Sequence, residues 1–293
     1  MATKTDNTII GSNDTDAHFR AIAQFIHDVF ALTSCWVQTS DTGQVNLTTV
    51  AKPAATNTAQ GYEIWRMNDA LQSTKPVFAK VEYGSGGAAL NFSYWLTVGT
   101  GSDGAGTITG ILLARTQQGA GTNNAATMNK CFGSASTNRI TIAMLLDVST
   151  IPFWFAIERT KDSAGADTNV GLIMAFGGFQ GGSTVKSIVL PFGATAPVAE
   201  LGIQAILSTN NPTAYTGDQG VGLMIPMLGV AIQPGLNVCI TMVNDFAAFA
   251  QPSFTLYGAS HTWQHMGGFI TTVARGGTPG GSDANTRLML LYE

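Results

Sequence analysis

The stretch Gly61–Gly110, GYEIWRMNDALQSTKPVFAKVEYGSGGAALNFSYWLTVGTGSDGAGTITG, decides how the chain is read. From Pro76 to Tyr83 the side chains alternate: Val77, Ala79, Val81 and Tyr83 line one face, Phe78, Lys80 and Glu82 the other, which is the period of a half-buried strand. Pro76 can open that strand, because its missing N–H need not join a ladder there. Gly84-Ser85-Gly86-Gly87 predicts a turn. Phe92–Val98 is rich in the aromatic and β-branched residues that suit a pleated surface. Gly99–Gly106 predicts a second turn and Thr107–Ala114 the next strand. The whole is an antiparallel meander. Glu63–Leu71 is compatible with a short helix or with a loop anchored by Trp65.

The same residues carry a resemblance. GYEIWRMNDALQSTKPVFAKVEYGSG (61–86), followed by WLTVGTGSDGAGTITG (95–110) and FAIERTKDSAGADTNVG (155–171), resembles virion structural proteins of tailed bacteriophages and their prophages. The resemblance extends over the chain as far as about Leu190, and the C-terminal third shares none of it. It implies a role in assembly and no catalytic residues.

Composition points the same way. Charged residues make up 11% of the 293, against about 25% in ordinary globular domains, and there are 34 glycines. Such a surface is coated with neutral polar groups or covered by partners, which suits a subunit of a large assembly. The net charge of −4 is mild. No basic patch with interleaved aromatics suggests a nucleic-acid groove. Cys35, Cys131 and Cys239 form no CxxC pair and no disulfide framework, so buried free thiols are expected. MATKTDNTII lacks the apolar run of a signal peptide, and no run of about 18 apolar residues predicts membrane insertion. The expectation is synthesis in a host bacterial cytoplasm and residence in a virion.

Taken in order, residues 1–12 read as an N-terminal arm. Asn13, Asp14 and Thr15 offer N-cap oxygens to a helix whose Phe19, Ile22, Ala23, Ile26, Val29 and Phe30 follow the apolar rhythm of one face. That face needs a cover, either the chain's own sheet or a neighbouring subunit. Cys35–Val50 reads as strand, turn at Asp41-Thr42-Gly43, strand. Residues 51–60 and 117–129 read as loops. Arg139–Val148, Ile151–Arg159, Val170–Phe176 and Thr184–Leu190 are further strands, and residues 198–229 receive no assignment. Asn237–Val243, Ser253–Tyr257, Gly268–Val273 and Thr286–Tyr292 close the chain. Many short strands with one clear helix predict a mainly β fold, an antiparallel β-sandwich of jelly-roll type. The arm is followed by a helix plus main β domain over 13–190 and a C-terminal β region over 191–293, which is either a subdomain of the same fold or a second unit.

The candidates for chemistry are thin. His261-Thr262-Trp263-Gln264-His265 would place two imidazoles on one helical face for a metal, but lacks the Glu of HExxH; on a strand the rings stand about 13 Å apart. The carboxylates Asp147, Glu158, Asp162 and Asp167 surround one hairpin, as solvated turn residues or, less simply, as a hydrolase pair. The glycine-rich runs have neither the form of a phosphate loop nor the acidic density of a calcium loop. Trp36, Trp65, Trp95, Trp154 and Trp263, with Tyr94 and Tyr215, are core residues, interface anchors or sugar-stacking faces. No catalytic residue, cofactor or metal is assigned. Phe19, Ile22, Ile26, Trp65, His261, Trp263 and His265 are the interface candidates.

The expected function is therefore a non-enzymatic structural subunit of a tailed-phage virion. It would act by self-association, a trimer being one candidate symmetry, and by packing against other virion proteins. The tail, baseplate or adsorption apparatus is favoured over a capsid decoration (cement) role, since exposed loops and spare aromatics suit contact with a host surface. A carbohydrate-binding module for host surface glycans, and a hydrolase, are the other classes left open.

Overall fold

The computed structural model describes residues 2–6, 15–86, 90–119, 130–145, 153–161, 166–177, 186–191, 199–202, 238–241, 250–256, 259–269 and 287–292. In chain order these hold β1 (Ala2–Asp6), helix α1 (Asp16–Phe30), β2 (Trp36–Gln38), β3 (Thr58–Met67), β4 (Phe78–Gly86) and β5 (Asn91–Ser102). There follow β6 (Ile108–Gly119), β7 (Lys130–Ser136), β8 (Arg139–Leu145), β9 (Phe153–Lys161), β10 (Asp167–Gly177) and β11 (Lys186–Pro191). The last are β12 (Ala199–Gly202), β13 (Val238–Thr241), β14 (Ser253–Leu256), β15 (Ala259–Phe269) and β16 (Arg287–Leu291). The fold is mainly β, with one N-terminal helix, and its ladders are antiparallel.

Three sheets result: β2-β3-β4-β5-β6, β1-β7-β8-β9-β10-β11-β12 and β13-β16-β15-β14. The first is the meander expected from residues 76–114. Val77, Ala79, Val81 and Tyr83 are all fully buried, whereas Phe78, Lys80 and Glu82 are half-buried, as the alternation requires.

Several details differ from expectation. Residues 63–67 are neither helix nor loop. They belong to β3, whose alternate side chains Glu63, Trp65 and Met67 turn to the core while its backbone pairs with β4. Gly84 and Gly86 do not turn the chain but continue β4, because they sit where neighbours come too close for a side chain. A Cβ on Gly84 would lie 2.1 Å from the Thr58 carbonyl oxygen. β5 likewise continues through Gly99 and Gly101, and the turn narrows to the residues after Ser102. Of the strand–turn–strand expected over 35–50, only β2 is a strand. Beyond it the chain is tied to β3 by single bonds, Val45 N to Tyr62 O (2.9 Å) and Ile64 N to the Gln44 side chain (2.8 Å). Strand β6 reaches Gly119, into the expected loop over 117–129. In the N-terminal arm expected over 1–12, Ala2–Asp6 is a strand that pairs with β7, from Ala2 opposite Ala135 to Asp6 opposite Cys131, and residues 7–12 lie outside the described residues. Strand β11 runs across residue 190, and β12 beyond it joins the same sheet. The expected strand at Gly268–Val273 is the end of β15, and residues 270–273 lie outside the described residues, as do 203–237. Cys35 and Cys131 are buried thiols outside any disulfide among the described residues.

The core lies between the five- and seven-stranded sheets, with α1 wedged into it. Thr15 caps the helix, its Oγ1 accepting the His18 N–H at 3.1 Å. Phe19, Ile22, Ala23, Phe25, Ile26, Val29 and Phe30 are buried. Phe19 meets Phe92 of the five-stranded sheet at 5.8 Å between ring centroids. Phe30 stacks on Trp65 of that sheet (5.2 Å) and on Phe155 of the other (6.1 Å). Beside the helix the sheets touch directly: Tyr94 and Phe155 lie 5.4 Å apart, and the Tyr94 hydroxyl and Trp36 indole donate to the carbonyls of Trp154 and Arg139. On the opposite face of the seven-stranded sheet, Phe132 meets Tyr292, just after β16, edge-on at 5.9 Å. Among the described residues no helix is long and apolar enough to cross a membrane.

Gly133 is what lets α1 approach β7. A Cβ there would fall 2.3 Å from Val29 Cγ2. Gly133→Ala therefore forces the helix outward, and we expect a loss of about 1–3 kcal/mol in urea unfolding, the range for overpacking a tight core.

Candidate functional site

The residues expected at an interface are mostly inside the chain. Phe19, Ile22 and Ile26 are fully buried beneath the chain's own sheets, so these three side chains offer no surface to a neighbour. Trp65 is 3% exposed and Trp263, on β15, is fully buried. Trp36, Trp95 and Trp154 are buried too, so none of the five tryptophans turns its face to solvent for a sugar ring. His261 and His265 lie on β15, at the register positions opposite Phe254 and Met289. A strand, not a helix, separates them, and the spacing of one helical turn does not arise. Of the carboxylates around the hairpin, Glu158 is fully buried on β9 at the position opposite Arg139, and Asp167 starts β10 opposite Lys161. Asp147, Asp162 and Tyr215 lie outside the described residues.

What the fold does assemble is a set of polar ties between elements. The first is on the helix. Glu63, 1% exposed on β3, accepts from three groups: the Tyr83 hydroxyl of β4 (2.6 Å), Nδ1 of His27 on α1 (2.7 Å) and the Gln38 amide of β2 (3.4 Å). Burial and then the Glu63 charge push the Tyr83 hydroxyl far above its ordinary range, so it stays a donor. The half-buried His27 ring also lies edge-on to Trp65 at 5.2 Å.

The second tie joins the sheets. Arg159, fully buried at the end of β9, grips Asp69, in the segment after β3, through two guanidinium nitrogens. It also donates to the Lys75 carbonyl at 2.8 Å. The third holds the turns. Asp41 accepts from Ser102 Oγ and from the Gly106 N–H (3.1 Å), while Asp103 accepts the N–H groups of Ala105 (2.8 Å) and Thr107 (2.9 Å). Asp103 is thus a turn residue.

On the outer face of the five-stranded sheet, Lys80 stands 4.3 Å above the Tyr62 ring. Arg115 pairs with Glu82 and covers Trp95 at 4.5 Å. These pairs are exposed ion and cation–π contacts, not a reactive constellation. Among the described residues there is no group of three His, Cys, Asp or Glu side chains able to hold a metal ion.

Sequence reading missed His27, Glu63, Asp69 and Arg159 because their partners lie 36 and 90 residues apart. The available signal was a carboxylate inside an otherwise apolar strand: Glu63 beside Ile64 and Trp65 demands a buried partner.

Asp69→Ala leaves the buried Arg159 without its carboxylate, and we expect about 3–5 kcal/mol of destabilisation in chemical denaturation. Asp41 gives a pH test. Burial alone would raise its carboxyl, but the bonds from Ser102, Thr39 and Gly106 outweigh it and lower the pKa below 3.8. Its contribution is complete above that unfolded value and is lost as pH falls through the folded one. Asp41→Asn should therefore flatten the acid limb of stability against pH below about 4, with little change in slope at neutral pH. Comparison of the chain with protein-family models, with curated proteins and with solved structures gives no match.

Proposed function

We propose that the chain is a non-enzymatic structural subunit of a tailed-phage virion, a sandwich-like β domain that works by packing against copies of itself and other virion proteins. The observation that carries the reading is that the buried polar groups of the described residues serve to tie elements together. The buried charges and hydroxyls described above tie one element to another, on a chain with 11% charged residues.

The surface that fits such packing is the strand that, among the described residues, forms the edge of the five-stranded sheet. β6 is twelve residues long and carries one charge, Arg115. Thr109, Gly110, Ile111, Ala114 and Arg115 along it are exposed, and Ile111, 45% exposed, is the exposed large apolar side chain among the described residues. Edges of this kind favour pairing with another chain unless they are charged or bent. Register shifts at Val98 bend the middle of β6, where Leu112 and Leu113 are both buried, and so confine the offered surface to its ends. Burial of the five tryptophans takes away one of the two grounds for favouring the adsorption apparatus, the exposed loops being the other, and symmetry is what would place the chain in the particle.

Light scattering on the purified chain, followed by negative-stain imaging of the same peak, tests the reading. We expect a discrete symmetric oligomer; a monomer at all concentrations argues against self-assembly. Ile111→Lys places a charge on the edge and should lower the molar mass while leaving the melting temperature within a degree or two, as for a surface change of about 0.5 kcal/mol. An unchanged mass removes β6 from the contact.

A further inference from the structure

The junction of α1 with the five-stranded sheet holds a titratable pair that no assembly role requires. Glu63 is buried, and its three partners are the Tyr83 hydroxyl, the Gln38 amide and His27. Of these only His27 can carry a positive charge. Tyr83, far above its ordinary range, keeps its proton and stays a neutral donor. Gln38 is neutral at every pH. The other charge near the cluster is Asp28, the next residue on α1, which acts on Tyr83 from the helix side and accepts from Gln24 at 2.7 Å. From β3 the Trp65 ring faces His27 at 5.2 Å, close enough for cation–π attraction once the imidazole is charged. Among the described residues, these groups facing His27 from α1, β2, β3 and β4 are negative, neutral or aromatic.

We propose that His27 and Glu63 form a proton-operated latch that fastens the C-terminal half of α1 to the five-stranded sheet. With the imidazole protonated, the 2.7 Å contact is a charge-assisted bond that neutralises the buried carboxylate. With it neutral, the Glu63 charge is held by neutral donors alone, and the C-terminal half of the helix loses its charge-assisted bond to the sheet. His27 is 27% exposed at its side chain, so the proton enters and leaves without unfolding.

The sign follows from the partner. A carboxylate at hydrogen-bond distance favours the charged imidazole, so His27 binds its proton more tightly in the folded chain than in the unfolded one. The latch contributes fully below the unfolded histidine value near 6.5 and is lost as pH rises through the folded one. This is opposite to the acid-sensitive Asp41 tie, so the two are separable on one pH axis.

The test uses the full chain. The His27 ring is titrated by NMR, folded and in urea, and urea midpoints are measured from pH 5.5 to 8.5 for the wild type and for His27→Gln, whose amide still donates. We expect a higher His27 midpoint in the folded chain, a wild-type stability that falls across this window, and a His27→Gln profile that is flatter. Parallel profiles, or a folded midpoint at or below the unfolded one, overturn the latch. Should His27→Gln fail to fold, Glu63→Gln with His27 intact decides: the folded His27 midpoint must drop, and an unmoved midpoint overturns the proposal.

Discussion

The structure depends on one aromatic side chain held between two sheets. Phe30 stacks on Trp65 from one side and on Phe155 from the other, and meets Trp36 edge-on. Each sheet has an apolar face that must be covered, and the helix covers part of both. A β-sheet of this length cannot leave such a face in water. Because α1 carries Phe19, Ile22, Ile26, Val29 and Phe30 on it, the two sheets share a core through the helix as well as by direct contact. Removal of the helix would expose both sheets together.

Polar ties are built around that wedge, and they do different work. Apolar contact has no direction and would tolerate sliding of helix against sheet. A buried carboxylate with three donors does not, since displacement by an ångström leaves it unsatisfied in a low-dielectric site. Glu63 therefore fixes where α1 sits, and Arg159 with Asp69 fixes where the segment after β3 meets β9. Such pairs add little net stability compared with apolar replacements of equal size, but breaking them is costly. Their effect is to make one arrangement of helix and sheets much better than its neighbours.

Much of the fold was legible because its signals are local. The alternation of Val77, Ala79, Val81 and Tyr83, the helical rhythm from Phe19 to Phe30 and the hairpin around β9 and β10 each declare themselves within a dozen residues. The errors came from glycine. Gly84, Gly86, Gly99 and Gly101 read as turns because glycine permits turns, yet each lies in a strand where backbone or side-chain atoms crowd in. Permission to turn and the need for space leave the same letter in the sequence. The helix face posed a different problem: its rhythm shows that it is covered, not by what. The polar ties were illegible for a third reason, since His27 with Glu63 and Asp69 with Arg159 meet only after the sheets have formed.

The same geometry bears on why a chain so poor in charge needs internal ties of this precision. In the proposed assembly role, the chain would present neutral surface to its neighbours, and neutral surfaces select partners by shape more than by field. Shape is only as well defined as the sheets that carry it. If α1 could shift between the sheets, the edge at β6 and its exposed Ile111 would shift with β5 and β4, to which the helix is coupled through Phe92 and Tyr83. Ties made inside the fold, at Glu63, His27, Asp69 and Arg159, hold the outer surface in place without themselves adding to its charge. A subunit that read its partners electrostatically would invert this distribution, with mobile charges outside and an apolar interior.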